Sequence, residues 1–194
     1  MSKRRAVFLD RDGTINVEVQ YLHKVEEFEF IPGVPAALKR LKEAGFLLVV
    51  VTNQSGIGRG RYDEAALDAI HSHMHEMLAK VGASIDACYF CPHHPEHGKG
   101  DYLQVCACRK PLPGMLQQAA DDLAIDLGSS FMIGDKLADV EAGINAGCTS
   151  LMVLTGYGNS HASKLPAGIK AYPDLPAAVE AILALEAAEA PDAD

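Results

Sequence analysis

Short, mostly apolar runs alternate along this chain with stretches of helical period. Ala6 to Leu9, Phe46 to Val51, Ile85 to Phe90, Phe131 to Ile133 and Ser150 to Leu154 each read as a strand. Phe46 to Val51 is apolar throughout, as a parallel strand covered on both faces should be. Between the runs lie amphipathic segments. Val34, Leu38 and Leu41 recur at helical spacing behind Pro32-Gly33, and Gly45 closes that helix. Leu67, Ile70, Met74 and Leu78 mark the core face of a helix that Asp63 caps and that stops near Gly82. Met115 to Leu123, Lys136 to Ala146 (capped by Gly147) and Leu175 to Leu185 predict three more, before an acidic tail expected to fray. Strand and helix alternate without a repeat or a linker. The expected fold is α/β, a doubly wound, mainly parallel sheet in a single domain over residues 1–194.

Two segments break the pattern. Ile15 to Phe30 is irregular, with Val17, Val19 and Tyr21 alternating before an acidic stretch. Cys91 to Pro113 has no period and is rich in Pro, Gly, Cys and His. A structureless loop of that length in a compact domain needs a separate explanation.

Bulk properties narrow the classes. At 194 residues, with 48% hydrophobic and 22% charged residues, the chain is ordinary for a soluble globular protein. Its net charge of −9 argues against nucleic acid as a partner, but leaves room for a small anion held by a few local cations. No apolar run approaches the ~20 residues of a membrane span. The basic start Met1-Ser2-Lys3-Arg4-Arg5 leads into too brief an apolar run for a secretory signal. The cytoplasm is the expected compartment. There, five cysteines point to metal or free thiols rather than disulfides.

The strand ends carry the chemistry. Asp10-Arg11-Asp12-Gly13-Thr14 follows the first strand, and in an open α/β sheet ligands bind beyond the carboxyl ends of the strands. An Asp-Gly turn would account for it. A calcium loop would not, because Thr14, Ile15 and Tyr21 stand where an EF-hand needs an oxygen ligand, a glycine and a glutamate. The remaining reading is a phosphoryl-transfer pair, with Asp10 as nucleophile and Asp12 as acid and base. Two carboxylates repel a phosphate dianion, so that reading demands a divalent cation and basic residues elsewhere.

Both can be found. Gly134-Asp135-Lys136 repeats the pattern of a strand followed by an acidic residue, and a third carboxylate would complete a site for Mg²⁺. Alternatively Asp135 merely caps the helix beginning at Lys136. Asp139, one turn on, is a further candidate contact. Thr52 and Asn53 follow a strand and should lie at the same edge, where a hydroxyl and backbone N–H groups suit phosphoryl oxygens. The glycines from Gly56 to Gly60 lack dinucleotide-binding spacing and read as a flexible loop beside the site.

Within the long loop, Cys91-Pro92-His93 and Cys106-Ala107-Cys108 supply the donors of a structural Cys₃His zinc site, with His94 and His97 as competing ligands. Surface thiols on a mobile loop are the alternative. Arg109 and Lys110 follow at once, so a metal knot there would aim two cations at the phosphate. Cys88 and Cys148 read as buried thiols. His71, His73 and His75 share a helix and read as a solvated face.

Asp10-x-Asp12-Gly13-Thr14, Thr52-Asn53-Gln54, Lys110 and Gly134-Asp135, in this order, resemble the haloacid dehalogenase (HAD) superfamily of phosphatases. The Cys-x-His and Cys-x-Cys loop resembles its histidinol-phosphatase-like branch. The resemblance implies a Rossmann-like, HAD-type fold with no large cap domain and an inserted zinc loop over residues 91–108. It implies Asp10 as nucleophile, Asp12 as acid/base, and Mg²⁺ on Asp10, the Asp12 carbonyl and Asp135. Thr52 and Lys110 would bind the transferring phosphoryl group. Glu18, Tyr21, Asn53, Gln54, Ser55, Arg109 and Lys136 would meet the substrate, and Cys91, His93, Cys106 and Cys108 would hold Zn²⁺. The implied substrate is a small sugar bisphosphate, a heptose bisphosphate cleaved at its 7-phosphate on the way to lipopolysaccharide precursors. Histidinol phosphate is the alternative, and a non-catalytic, zinc-stapled phosphate-binding module is the alternative of another class. A polynucleotide 3′-phosphatase shares the Asp-x-Asp-Gly-Thr strand end, but this acidic chain shows no basic face. No membrane partner is expected, and the expected state is a monomer.

Overall fold

The computed structural model describes residues 3–189. Along the chain run β1 (Ala6–Leu9), α1 (Val34–Glu43), β2 (Leu47–Asn53), α2 (Ser55–Gly58), α3 (Glu64–Ala79) and β3 (Ala87–Cys91). After the long loop come α4 (Gly114–Leu123), β4 (Phe131–Gly134), α5 (Leu137–Ala146), β5 (Thr149–Val153), α6 (Gly158–His161), β6 (Lys170–Tyr172) and α7 (Leu175–Glu189). The six strands form one sheet in the order β3-β2-β1-β4-β5-β6, and every pair is parallel. Successive residues of a strand point to opposite faces, so both faces must be covered. Val7, Leu9, Leu48 and Val50 face a core shared with α1, α3 and α7. Ala6, Phe8, Val49 and Val51 face one shared with α4 and α5.

Helix ends follow local chemistry. The Asp63 carboxylate accepts from the Ala66 N–H at 2.9 Å and starts α3, and Gly147, at φ 87°, ends α5 in the left-handed conformation that glycine adopts without strain. α7 runs past Leu185 to Glu189 because Glu186, Ala187 and Ala188 are strong helix formers. The acidic tail beyond it, like Met1 and Ser2, lies outside the described residues. Two elements depart from the sequence pattern. β6 was invisible to it, being three residues at the sheet edge paired only with β5. Ser55 to Gly58 forms a helical turn with Gly56, Ile57 and Gly58 buried, where a flexible loop is expected. Packing explains the difference: a Cβ on Gly56 would lie 2.2 Å from the Tyr62 ring, and one on Gly58 would lie 2.5 Å from the Pro92 carbonyl oxygen.

All strands being parallel, their carboxyl ends share one edge. Strand order reverses between β1 and β4, which are direct neighbours, and a crevice opens at such a reversal. Asp10 follows β1, Asn53 ends β2, Cys91 ends β3 and Asp135 follows β4. No helix among the described residues is long and apolar enough to cross a membrane.

Candidate active site

At the crevice, Asp10 is buried and its Oδ1 accepts from Lys110 Nζ at 2.9 Å. The same ammonium donates to the Val51 carbonyl at 2.7 Å and pairs with Asp139 Oδ1 at 2.6 Å. Asn53 holds the lysine's backbone from both sides: its Oδ1 accepts from the Lys110 N–H and its Nδ2 donates to the Lys110 carbonyl, each at 3.1 Å. Burial opposes the charge on Lys110, but the Asp10 and Asp139 carboxylates more than offset it and hold the ammonium above its usual range.

Asp135 lies between two glycines. A Cβ on Gly13 or on Gly156 would come within 2.2 Å of its Oδ2, and both glycines have positive φ, 86° and 55°. The Tyr157 N–H donates to Oδ2 at 2.8 Å. Its Oδ1 is buried and has no hydrogen-bond partner among the described residues. Burial, with Asp10 close by, pushes the Asp135 carboxyl up to about 8, and Asp139 is also shifted upward by burial and Asp10. Carboxylate oxygens of Asp10, Asp135 and Asp139 all lie within 4.8 Å of one another. Crowded hard oxygens with an orphaned lone pair fit a divalent cation such as Mg²⁺. Capping does not account for Asp135, because α5 starts after Lys136, whose N–H donates to Asp139 at 2.9 Å.

Asp12 is arranged differently. Arg11 donates to it from Nε at 3.1 Å and from Nη2 at 2.8 Å to the second oxygen, while Asn16 Nδ2 and Gln54 Nε2 donate at 3.0 and 2.9 Å. Burial raises the Asp12 carboxyl, but Arg11 and these donors reverse the shift and hold it below the usual carboxylate range. Arg11 is itself wholly buried, which the sequence pattern did not foretell, since an arginine between two aspartates reads as exposed. His71 corrects an expectation too. It is buried rather than solvated, because it shares the stripe of Leu67, Met74 and Leu78, and burial followed by the Arg11 charge pushes its pKa down to about 3.

In front of these groups lies a cavity of about 390 Å³ whose walls include Asp12, Glu18, Tyr21, Asn53, Gln54, Ser55 and Lys136. Lys136 Nζ stands 3.5 Å from Glu18 and 3.9 Å from Asp135. Thr52 is buried behind Gln54, which donates to its hydroxyl at 2.8 Å. Arg109 stands apart from these walls, its Nη1 donating to the His93 carbonyl at 3.2 Å.

The loop donors converge. Cys91, Cys106 and Cys108 sulfurs lie 3.0 to 3.5 Å apart, and His93 Nδ1 is 3.4 Å from Cys108 and 3.8 Å from Cys91. All three thiols are free, and three sulfurs with one imidazole nitrogen are the donor set of a closed zinc site. His94 lies outside this group. Its Nδ1 accepts from the Glu96 and His97 N–H groups, both at 3.1 Å, and so closes a turn of the loop.

A parallel α/β sheet with buried carboxylates and a lysine at its point of reversal defines the class of phosphoryl-transfer enzymes. The HAD-hydrolase-like family model matches residues 107–178. The D-glycero-beta-D-manno-heptose-1,7-bisphosphate 7-phosphatase of Escherichia coli K12 is 51% identical over 152 residues, covering 78% of this chain and 80% of that one. That of Haemophilus ducreyi is 50% identical over 155 residues, covering 79% and 85%. Among solved structures, the heptose bisphosphate phosphatase of B. bronchiseptica, complexed with magnesium and phosphate, aligns with a TM-score of 0.84 at 39% identity, covering 93% of this chain and 99% of that one. Its counterpart from Burkholderia thailandensis aligns at 0.70 and 36%, with the same coverage. The chain belongs to the HAD-like hydrolases, in the same family as these heptose bisphosphate phosphatases.

Proposed function

We propose that the chain, acting as one domain, is a Mg²⁺-dependent phosphatase that removes the 7-phosphate of D-glycero-D-manno-heptose 1,7-bisphosphate. The observation that carries this reading is the position of Lys110 between Asp10 and Asp139, beside Asp135. A phosphoryl group entering there meets one nucleophilic oxygen and one fixed positive charge.

Asp10 attacks phosphorus and forms an aspartyl-phosphate as the bond to the sugar oxygen breaks. Asp12 gives that oxygen a proton and leaves as a carboxylate. It rests ionised against Arg11, and the approaching phosphate's negative charge favours the proton it needs for this step. In the second half, Asp12 takes a proton from water, which attacks the acyl phosphate and releases inorganic phosphate from Asp10. Lys110 balances charge on the phosphoryl oxygens throughout. Thr52 and Asn53 help place that group, and Lys136, Glu18, Tyr21, Gln54 and Ser55 hold the sugar end, while Arg109, expected to do so too, braces the loop through the His93 carbonyl. Asp10, Asp135 and the Asp12 carbonyl would hold Mg²⁺, which when bound neutralises phosphoryl charge. Cys91, His93, Cys106 and Cys108 would hold a structural Zn²⁺ two residues before Lys110.

Phosphate release from heptose 1,7-bisphosphate and from histidinol phosphate, measured side by side, tests the reading. A clear preference for the heptose bisphosphate is expected. Preference for histidinol phosphate would overturn the substrate, and no turnover of any phosphomonoester would overturn the enzyme.

A further inference from the structure

The reaction cavity has a neighbour. Gln20 and Tyr21 line both it and a second cavity of about 680 Å³, whose other walls include Arg59, Arg61 and Lys99. No carboxylate lines this second cavity, although the chain as a whole carries a net charge of −9. None of the three cations forms an ion pair among the described residues. Arg59 Nε is buried and has no hydrogen-bond partner among the described residues. The Arg59 guanidinium fork at that wall suits the oxygens of an anion.

Arg59 is half-buried, and Arg61 and Lys99, though exposed, each rest against neighbouring residues. The Arg61 guanidinium lies over the Tyr21 ring, 4.9 Å from its centroid, at the wall between the two cavities. The Lys99 N–H donates to the Gly58 carbonyl at 2.8 Å, so the zinc-loop segment and α2 are tied together. Its ammonium lies against Gly60, where a Cβ would be 3.3 Å from Nζ. The wall itself is strained: Gln20 and Tyr21 have φ of 50° and 59°, which non-glycine residues seldom adopt. Such conformations persist where the surroundings demand them, often at ligand sites. Here Glu18 accepts from the Gln20 N–H at 2.8 Å, and the Tyr21 carbonyl meets His23 Nδ1 at 2.7 Å.

We propose that the Arg59–Arg61–Lys99 cavity seats the phosphate that is not cleaved, so that a sugar bisphosphate bridges the two cavities across Gln20 and Tyr21. This rests on the substrate reading above and adds which residues select a doubly phosphorylated sugar. Contacts to the remote phosphate are made equally before and during reaction, so they lower KM and leave kcat alone. They also fix which end of the molecule reaches Asp10.

The test compares heptose 1,7-bisphosphate with heptose 7-phosphate in wild type, Arg59→Gln, Arg61→Gln and Lys99→Gln. Losing one charge-assisted contact should raise KM for the bisphosphate by about 10-fold or more in each arginine variant. Its kcat should hold within about twofold, and kinetics on the monophosphate, which also report folding, should stay as in wild type. Arg59→Lys should recover part of the loss. Unchanged KM for the bisphosphate, or an equal loss on both substrates, overturns the cavity's role. Wild type that turns over other phosphomonoesters but not the bisphosphate overturns the substrate reading, and this proposal with it.

Discussion

Lys110 and Asp10 are 100 residues apart in sequence, yet Nζ and Oδ1 lie 2.9 Å apart at the centre of the crevice. Both side chains are almost wholly inaccessible, so neither charge is screened by water. Replacing Lys110 by Met should therefore act twice. Turnover should fall on the order of 10²–10³-fold, as when a transition-state donor is removed. Stability without metal should fall by about 3 kcal/mol, since Asp10 and Asp139 lose their counter-charge inside the fold. Steady-state kinetics at saturating Mg²⁺ and a metal-free thermal melt measure the two separately.

Asp10→Asn keeps the shape of the site and removes the attacking oxygen's charge. No turnover is expected. Phosphate release near the wild-type rate in this variant would rule out the covalent route through Asp10.

Gly13→Ala places a methyl group 2.2 Å from Asp135 Oδ2, at a residue whose φ is 86°. Left-handed backbone alone costs a non-glycine residue about 1 kcal/mol, and the collision adds to it. Mg²⁺ affinity should drop along with stability, because the carboxylate has to move. Calorimetric titration with Mg²⁺ checks this; unchanged affinity would show that Asp135 is not needed for the ion.

pH should separate two buried groups. The Asp135 carboxyl is raised to about 8 in the folded chain from an ordinary 3.8, so the metal-free fold holds a proton that the unfolded chain gives up. Its contribution is full below 3.8 and is lost as pH rises towards 8. His71, lowered to about 3 from 6.5, acts oppositely, losing stability as pH falls from 6.5. Above pH 6.5 only the first remains of these two. The metal-free melting temperature should fall between pH 6.5 and 8, and stabilisation by Mg²⁺ should grow over the same interval as the proton it displaces is bound less tightly. A flat metal-free profile there would contradict the raised carboxyl.

Removing zinc should cost activity as well as stability. The Cys108 sulfur belongs to a residue two positions before Lys110, so losing the metal would loosen the backbone that delivers the lysine, leaving the Asn53 grip and the lysine's own contacts to hold it. Chelator-treated protein resupplied with Mg²⁺ alone should show reduced kcat, and zinc should restore it. Full activity with Mg²⁺ alone would separate the knot from the chemistry.

Much of this was legible in sequence because strong patterns served it. Phe46 to Val51 is apolar because two cores cover β2, and Cys91, His93, Cys106 and Cys108 fall in two close pairs of soft donors, which the structure brings together. Other features left weak traces. β6 is Lys170-Ala171-Tyr172, too short and too polar for a period to show. Arg11 and His71 are polar residues buried by their neighbours, which hydropathy reads as surface. Asp139 reads in sequence only as a further candidate contact, but its carboxylate folds back over the start of α5, accepting from the Lys136 N–H and pairing with Lys110. Arg59, Arg61 and Lys99 sit in irregular segments, and only the fold shows that they share a cavity.

The lysine also joins the two halves of the molecule. It descends from the segment after β3, touches the Val51 carbonyl of β2 and Asp10 beyond β1, and pairs with Asp139, which belongs to the half that begins with β4. Neither half of the sheet alone possesses the complete charge arrangement. A chain that has assembled only one half would be inert, however well formed that half is, so recovery of turnover on refolding reports the last docking event rather than the first.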